Sequence, residues 1–266
     1  MYLQKLDKLP VRYELMRIET SFGDTNIIIT GLKENPPLVL LHDYFGCAPM
    51  ALEALLELTH HSRVYAIDIP GLPNLSEEYR TCLNDASYGQ WMYEILSRLA
   101  LRNAILVGIS FGGFVAWKTL IFEETRIAKT FLIVPAGIVA RVPLQTFRKT
   151  HPFEKQKEIK TPLPLLSDLF SEKDEFAEAF LSKIFLYYKM DFPIIPLITE
   201  EEALRIKTPV YIVAAKNNLL FPGEKMIERA KNIFISLNQT ILLEKSKHLL
   251  SPKDYERIAK YILNNL

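Results

Sequence analysis

Residues 108–113 read Gly108-Ile109-Ser110-Phe111-Gly112-Gly113, and what stands on either side of them decides the fold. Before them comes an uninterrupted apolar run, Ala104-Ile105-Leu106-Val107, and after them a second one, Phe114-Val115-Ala116-Trp117. A short, unbroken apolar run bounded by a glycine turn reads as a strand buried on both faces, and the second run reads as the helix that leaves the turn. The flanking glycines let strand and helix approach closely while a serine held between them projects its hydroxyl above the sheet. Between a buried strand and a helix, this Gly-x-Ser-x-Gly turn marks Ser110 as a nucleophile; without that context it would mark only a tight turn.

The same period continues in both directions. Apolar runs at Leu38–Leu41, Val64–Ile67, Phe131–Val134, Val210–Ala214 and Thr240–Leu243 are each followed by turn residues and are mostly separated by helical periodicity. Strands alternating with helices predict a mainly parallel sheet flanked by helices, the α/β class. Ahead of them, Tyr13–Thr20 and Thr25–Thr30 joined through Phe22-Gly23-Asp24 predict an antiparallel hairpin. At the far end Ser251 caps a helix, Pro252 suits its first turn, Asp254 completes a capping box, and Tyr255, Ile258, Ala259 and Ile262 form its buried stripe. The interval between the runs at Phe131 and Val210 is too long for a single crossover. It predicts an inserted helical lid over 139–207, with residues 1–138 and 208–266 forming the core. Within the lid, Ser171-Glu172-Lys173-Asp174 opens a helix on which Phe176, Phe180, Ile184 and Tyr187-Tyr188 recur at helical spacing, and Leu163–Phe170 holds a shorter one.

Composition narrows the function by exclusion. Thirty-two basic against 31 acidic residues give a formal charge of +1, which argues against a nucleic-acid or anionic-membrane footprint. Cys47 and Cys82 are isolated in sequence, with neither metal-ligand nor disulfide-framework spacing. There is no His-Glu-x-x-His and no Gly-x-Gly-x-x-Gly, so no metal or nucleotide cofactor is expected. Charges break the hydrophobicity of Met1–Lys8 before a signal core forms, and no run of about 18 apolar residues follows. The expectation is a cytoplasmic protein without a membrane span, whose partner is a small-molecule ester or apolar ligand. Oligomeric state is not legible.

A serine nucleophile needs a base. Of the five histidines, His248 alone follows the Thr240–Leu243 run, in the loop before the last helix, where it would lean over the carboxyl edge of the sheet and take the serine proton. His60 and His61 fall at a helix end, His151 falls in the lid, and His42 ends a buried strand and braces the turn after it.

Taken together, Leu40-Leu41-His42-Asp43, Ala66–Gly71, Gly108–Gly113, Pro135-Ala136-Gly137, Ala214–Pro222 and Ser246–Leu250 resemble the α/β-hydrolase superfamily, and within it the single-domain bacterial carboxylesterase-like serine hydrolases. The resemblance covers nearly the whole chain and implies the order serine, acid, histidine. It also implies an oxyanion hole built from the backbone amides of Tyr44 and Phe111. Two departures stand out. Asp43 stands where the family has glycine after the strand histidine. More consequentially, Asn217-Asn218-Leu219-Leu220-Phe221-Pro222 puts Asn218 at the acid's position, and no Asp or Glu occurs from 209 until Glu224. Glu244 and Asp191 are the stand-in candidates.

Three functional readings follow. One is a carboxylesterase-type serine hydrolase acting on small esters, impaired or assisted by a substitute acid. A second is a catalytically silenced relative that uses the pocket to bind a small apolar ligand or a protein, and a third is an introduced acid-to-Asn exchange.

Overall fold

A computed structural model describes residues 1–140, 168–188 and 193–266. His151, Asp191 and most of the short helix expected over 163–170 therefore lie outside the described residues. The chain opens with α1 (Tyr2–Leu6) and the hairpin β1 (Tyr13–Thr20) and β2 (Gly23–Thr30), antiparallel as the turn at Phe22–Asp24 predicts. Next come β3 (Pro37–Leu41), α2 (Ala48–Ala54), a 3-10 turn (Leu56–His60), β4 (Arg63–Ile67) and α3 (Ser87–Arg98). They are followed by β5 (Ala104–Ile109), α4 (Phe111–Phe122) and β6 (Ile127–Ile133). The inserted segment contributes α5 (Glu175–Tyr187) and α6 (Glu200–Arg205). The chain then returns through β7 (Val210–Ala215), α7 (Gly223–Ile233), β8 (Leu237–Leu243) and α8 (Pro252–Leu263).

The strands form one eight-stranded sheet in the order β1-β2-β4-β3-β5-β6-β7-β8. Among the described residues every pairing from β4 to β8 is parallel, and only the two pairings made by β2 are antiparallel. Because successive side chains on a strand point to opposite faces, β5 sends Leu106 into one core and Ile105, Val107 and Ile109 into the other. The first core packs under α3 and α4, and the second under α1, α2 and α8. The apolar runs are continuous because both faces are covered. The α8 capping box forms as expected, with Ser251 accepting from the Asp254 amide and the Asp254 carboxylate returning to the Ser251 amide.

Two readings of the inserted segment are corrected. Asp174, not Ser171, caps α5, its carboxylate accepting from the Ala177 amide at 2.9 Å. Ser171 is occupied elsewhere: Phe170 bridges in parallel to Leu249, and the Ser171 amide donates to the Leu249 carbonyl at 2.8 Å. The buried stripe of α5 is Ala177, Phe180, Leu181 and Ile184, whereas Tyr187 is 84% exposed. Tyr187 falls three residues past Ile184 at the helix end, rotated off the stripe; Tyr188 stays on it and donates its hydroxyl to the Gly71 carbonyl at 2.8 Å.

Candidate active site

Ser110 leaves β5 with φ +50° and ψ −105°, a backbone conformation that costs a non-glycine residue about 1–3 kcal/mol. Its neighbours hold it there. The Ser110 amide donates to Ile133 O at 2.8 Å, and its carbonyl accepts from the amides of Gly113 and Ala136 at 3.0 and 2.9 Å. The glycines are sterically required: a Cβ on Gly112 would stand 2.4 Å from the Leu41 carbonyl oxygen, and one on Gly108 would stand 2.3 Å from the Gly112 carbonyl. Strand β5 and helix α4 thus meet at backbone distance, and the serine is forced out at the carboxyl edge of the sheet.

Ser110 Oγ and His248 Nε2 lie 3.1 Å apart, both side chains nearly buried. His248 sits in the loop between β8 and α8, which is held from outside the core by the inserted segment. The Leu249 amide donates to Leu169 O at 2.8 Å, the Leu249 carbonyl accepts from Ser171, and the Lys247 amide donates to Ser171 Oγ at 2.8 Å. These three hydrogen bonds bracket the histidine on both sides. Nothing in the spacing of residues 163–171 points to them, because the contact spans more than 70 positions.

Asn218 is 3% exposed in the loop after β7, which touches the histidine loop through the Asn217 amide on Ser246 O at 3.0 Å and through Phe221, whose ring centre lies 5.6 Å from that of His248. Its Oδ1 accepts from two amides of its own loop, Leu220 at 3.0 Å and Phe221 at 3.1 Å. Both lone pairs of that oxygen are therefore spent. Turning the amide over would set its NH2 against two N–H donors, so the loop fixes which way Asn218 points. Nδ2 is left buried without a hydrogen-bond partner among the described residues. A carboxylate here would have a second oxygen to offer the histidine loop, whereas the amide has none. Glu244, one of the two stand-ins, is turned to the surface, where Lys216 Nζ holds its carboxylate at 2.8 Å.

On the other side of Ser110, the amides of Tyr44 and Phe111 belong to the loop after β3 and the first residue of α4, and the two rings meet edge-on with centres 5.2 Å apart. His42 is wholly buried, its Nδ1 2.7 Å from the Asp43 carbonyl and its Nε2 accepting from the Ile69 amide at 3.0 Å, so it braces two loops as its position predicts. The Asp43 side chain folds under its own loop, Oδ1 accepting from the Phe45 amide at 2.8 Å, and Gly46 makes room for it: a Cβ there would lie 2.6 Å from Asp43 Oδ2. Burial pushes the Asp43 carboxyl above the usual carboxylate range, against the opposing pull of His42. Asp43 does not line the pocket at Ser110. That pocket, about 30 Å³ and so room for about one water, is walled by Tyr44, Phe45, Phe111, Leu220 and Phe221, with Pro193 and Ile195 reaching over from the inserted segment.

Cys47 is wholly buried, and burial with Asp68 beside it pushes its thiol well up, which makes it inert. Cys82 is exposed. Among the described residues no helix is long and apolar enough to cross a membrane, and no three metal-type ligands come together.

Comparison with known proteins agrees with this architecture. The carboxylesterase YbfK of Bacillus subtilis (strain 168) is 24% identical over 276 residues, spanning 100% of this chain and 92% of that protein. The crystal structure of carboxylesterase CesB (YbfK) from Bacillus subtilis superposes with a TM-score of 0.79 at 22% identity, over 98% of this chain and 94% of that one. Naproxen esterase (carboxylesterase NP) from Bacillus subtilis superposes with a TM-score of 0.83 at 19% identity, over 99% and 94%. The model of the alpha/beta hydrolase family matches residues 38–260, from the first parallel strand into the last helix, and the chain belongs to that family.

Proposed function

We propose that the chain is a serine hydrolase of the carboxylesterase type, acting on small esters through Ser110 and His248, with residues 139–207 as the lid. The observation that carries this reading is the Ser110 Oγ to His248 Nε2 approach of 3.1 Å at a strained turn inside an apolar pocket. Strain of this kind persists only where the surroundings over-determine it, and it clusters at reacting groups.

In the proposed reaction, Oγ attacks the ester carbonyl carbon as its proton passes to Nε2 of His248. The carbonyl oxygen takes up the negative charge, and the amides of Tyr44 and Phe111 donate to it. As the tetrahedral intermediate collapses, the proton moves from Nε2 to the departing alkoxide, leaving an acyl-serine and a free alcohol. Water then repeats both proton transfers, releasing the acid and restoring Ser110. The aromatic and aliphatic walls favour apolar acyl groups over charged ones.

Asn218 supports a second reading, a silenced relative that binds without turnover, because an amide whose oxygen is committed to its own loop neither orients the imidazole nor balances its charge. Labelling with a fluorophosphonate probe separates the two. The hydrolase reading expects labelling of the parent that is abolished in Ser110→Ala, together with measurable hydrolysis of p-nitrophenyl butyrate. A folded parent that takes no label and hydrolyses no faster than Ser110→Ala establishes the silenced reading instead.

A further inference from the structure

A second and much larger cavity, about 590 Å³, lies on the α2 and α8 side of the sheet, beneath the start of α5. Its size falls within the range of small-molecule sites, about 300–1,000 Å³. It is not an extension of the pocket at Ser110: among the described residues the two share only Phe45 as a common wall. Its walls are apolar and aromatic, chiefly Phe45, Phe170, Phe176, Leu181, Leu249 and Tyr255. Its charges are one-sided. Among the described residues six carboxylates line it, those of Asp43, Glu53, Glu172, Asp174, Glu175 and Glu256, against two ammonium groups, Lys5 and Lys173. Both ammonium groups are already committed, Lys5 to Glu53 and Lys173 to Glu175.

We propose that this cavity is a binding site for a small organic ammonium ion with an apolar body, held between the Asp43 carboxylate and the aromatic walls. The chain itself supplies a model of the interaction. In this same cavity the Lys5 ammonium is ion-paired to Glu53 and lies 4.4 Å from the centre of the Phe176 ring, the two contacts by which a carboxylate and an aromatic face recognise an ammonium. Asp43 lines the same cavity with no ammonium paired to it among the described residues: its Oδ1 accepts from the Phe45 amide, His42 on its own loop is engaged by Asp43 O and the Ile69 amide with the Asp68 carboxylate 4.0 Å away, and Tyr255 faces it from α8. An ammonium placed there would favour the charged form of the carboxylate, while its alkyl body fills the apolar remainder. A bare metal ion does not suit the site, because no three ligands of metal type converge among the described residues. This site is independent of whether Ser110 turns over esters. An occupant would nonetheless touch Phe45, the residue after the proposed oxyanion donor Tyr44.

Titration calorimetry of the full chain with hexylammonium chloride and with hexan-1-ol at pH 7.5 tests the assignment. The ammonium is expected to bind at least about tenfold more tightly than the alcohol and to weaken as salt rises, since its selectivity comes from a charge pair. Asp43→Asn should reduce the affinity about tenfold or more by removing the partner charge. Ala54→Phe, which fills the cavity from α2, should abolish binding. Glu256→Gln on the rim should weaken it about two- to threefold and serves if either of the other variants fails to fold. Equal affinity for hexan-1-ol would reduce the feature to an apolar void. Undiminished binding to folded Ala54→Phe, or no heat from hexylammonium at millimolar concentration, would overturn the proposal.

Discussion

Replacing Asn218 with Asp is the sharpest test of the catalytic reading, and the structure sets its expected size. The loop bonds survive the exchange, because one carboxylate oxygen takes over the Leu220 and Phe221 amides that Oδ1 now holds at 3.0 and 3.1 Å. What changes is the other end of the side chain, where a buried NH2 without a partner among the described residues gives way to an oxygen carrying charge. An unsatisfied buried donor costs about 1–3 kcal/mol, so its removal helps offset the burial of the carboxylate and stability should be little changed. Turnover should respond strongly. The reverse exchange in serine proteases lowers kcat about 10⁴-fold, equivalent to about 5.5 kcal/mol of barrier, and the gain here is bounded by that figure. KM should barely move, because the imidazolium that the carboxylate stabilises exists in the transition state and not in the bound substrate. Steady-state hydrolysis of p-nitrophenyl butyrate decides the matter, with Ser110→Ala as the blank. If Asn218→Asp is no faster than the parent, with the parent itself well above that blank, the histidine takes its acid from elsewhere and the account of residue 218 is refuted.

Two further outcomes are expected. Asp43 has its carboxyl raised by burial above the unfolded-chain value of 3.8, so its contribution to stability is full below that pH and is lost as pH rises through the folded value. Urea unfolding at pH 4 and pH 8 should therefore find Asp43→Asn gaining on the parent as pH rises, whereas a difference that is the same at both pH values would contradict the burial argument. Ser171→Ala removes the acceptor for the Lys247 amide beside His248. Loss of about 1 kcal/mol of positioning corresponds to about a fivefold fall in kcat, with KM unchanged and Ser171→Thr restoring the rate; a change in KM alone would argue for a structural role only.

What is legible in the sequence is what is local. The elbow at 108–113 announces itself because the glycines that permit it and the apolar runs that flank it are contiguous, and the α8 cap is legible because its two partners stand three residues apart. His42 reads as a brace from its position at a strand end alone. Ser171 misleads, because a serine ahead of a charged stretch looks the same whether it caps the following helix or bonds a loop more than 70 residues away. The orientation of Asn218 is also out of reach of the sequence. Its residue type says that an acid is missing, but only the loop's curl, which brings two amides onto Oδ1, shows that the oxygen has no capacity left. The second cavity is assembled from α1, α2, α5, α8 and the loop after β3, and no stretch of sequence carries that convergence.

The bracket that residues 169–171 place around the histidine loop bears on how such chains can be redesigned. Exchanging covers between related hydrolases is an attractive route to new selectivity, on the assumption that the cover is a detachable module seated on an autonomous catalytic platform. Here the seam runs through the platform. A chimera cut at the outer edges of the insertion would carry away two carbonyl-and-amide contacts and one hydroxyl that anchor the loop bearing His248. Recombination at this site should therefore keep Leu169, Phe170 and Ser171 with the host and place the crossover beyond them, toward Asp174.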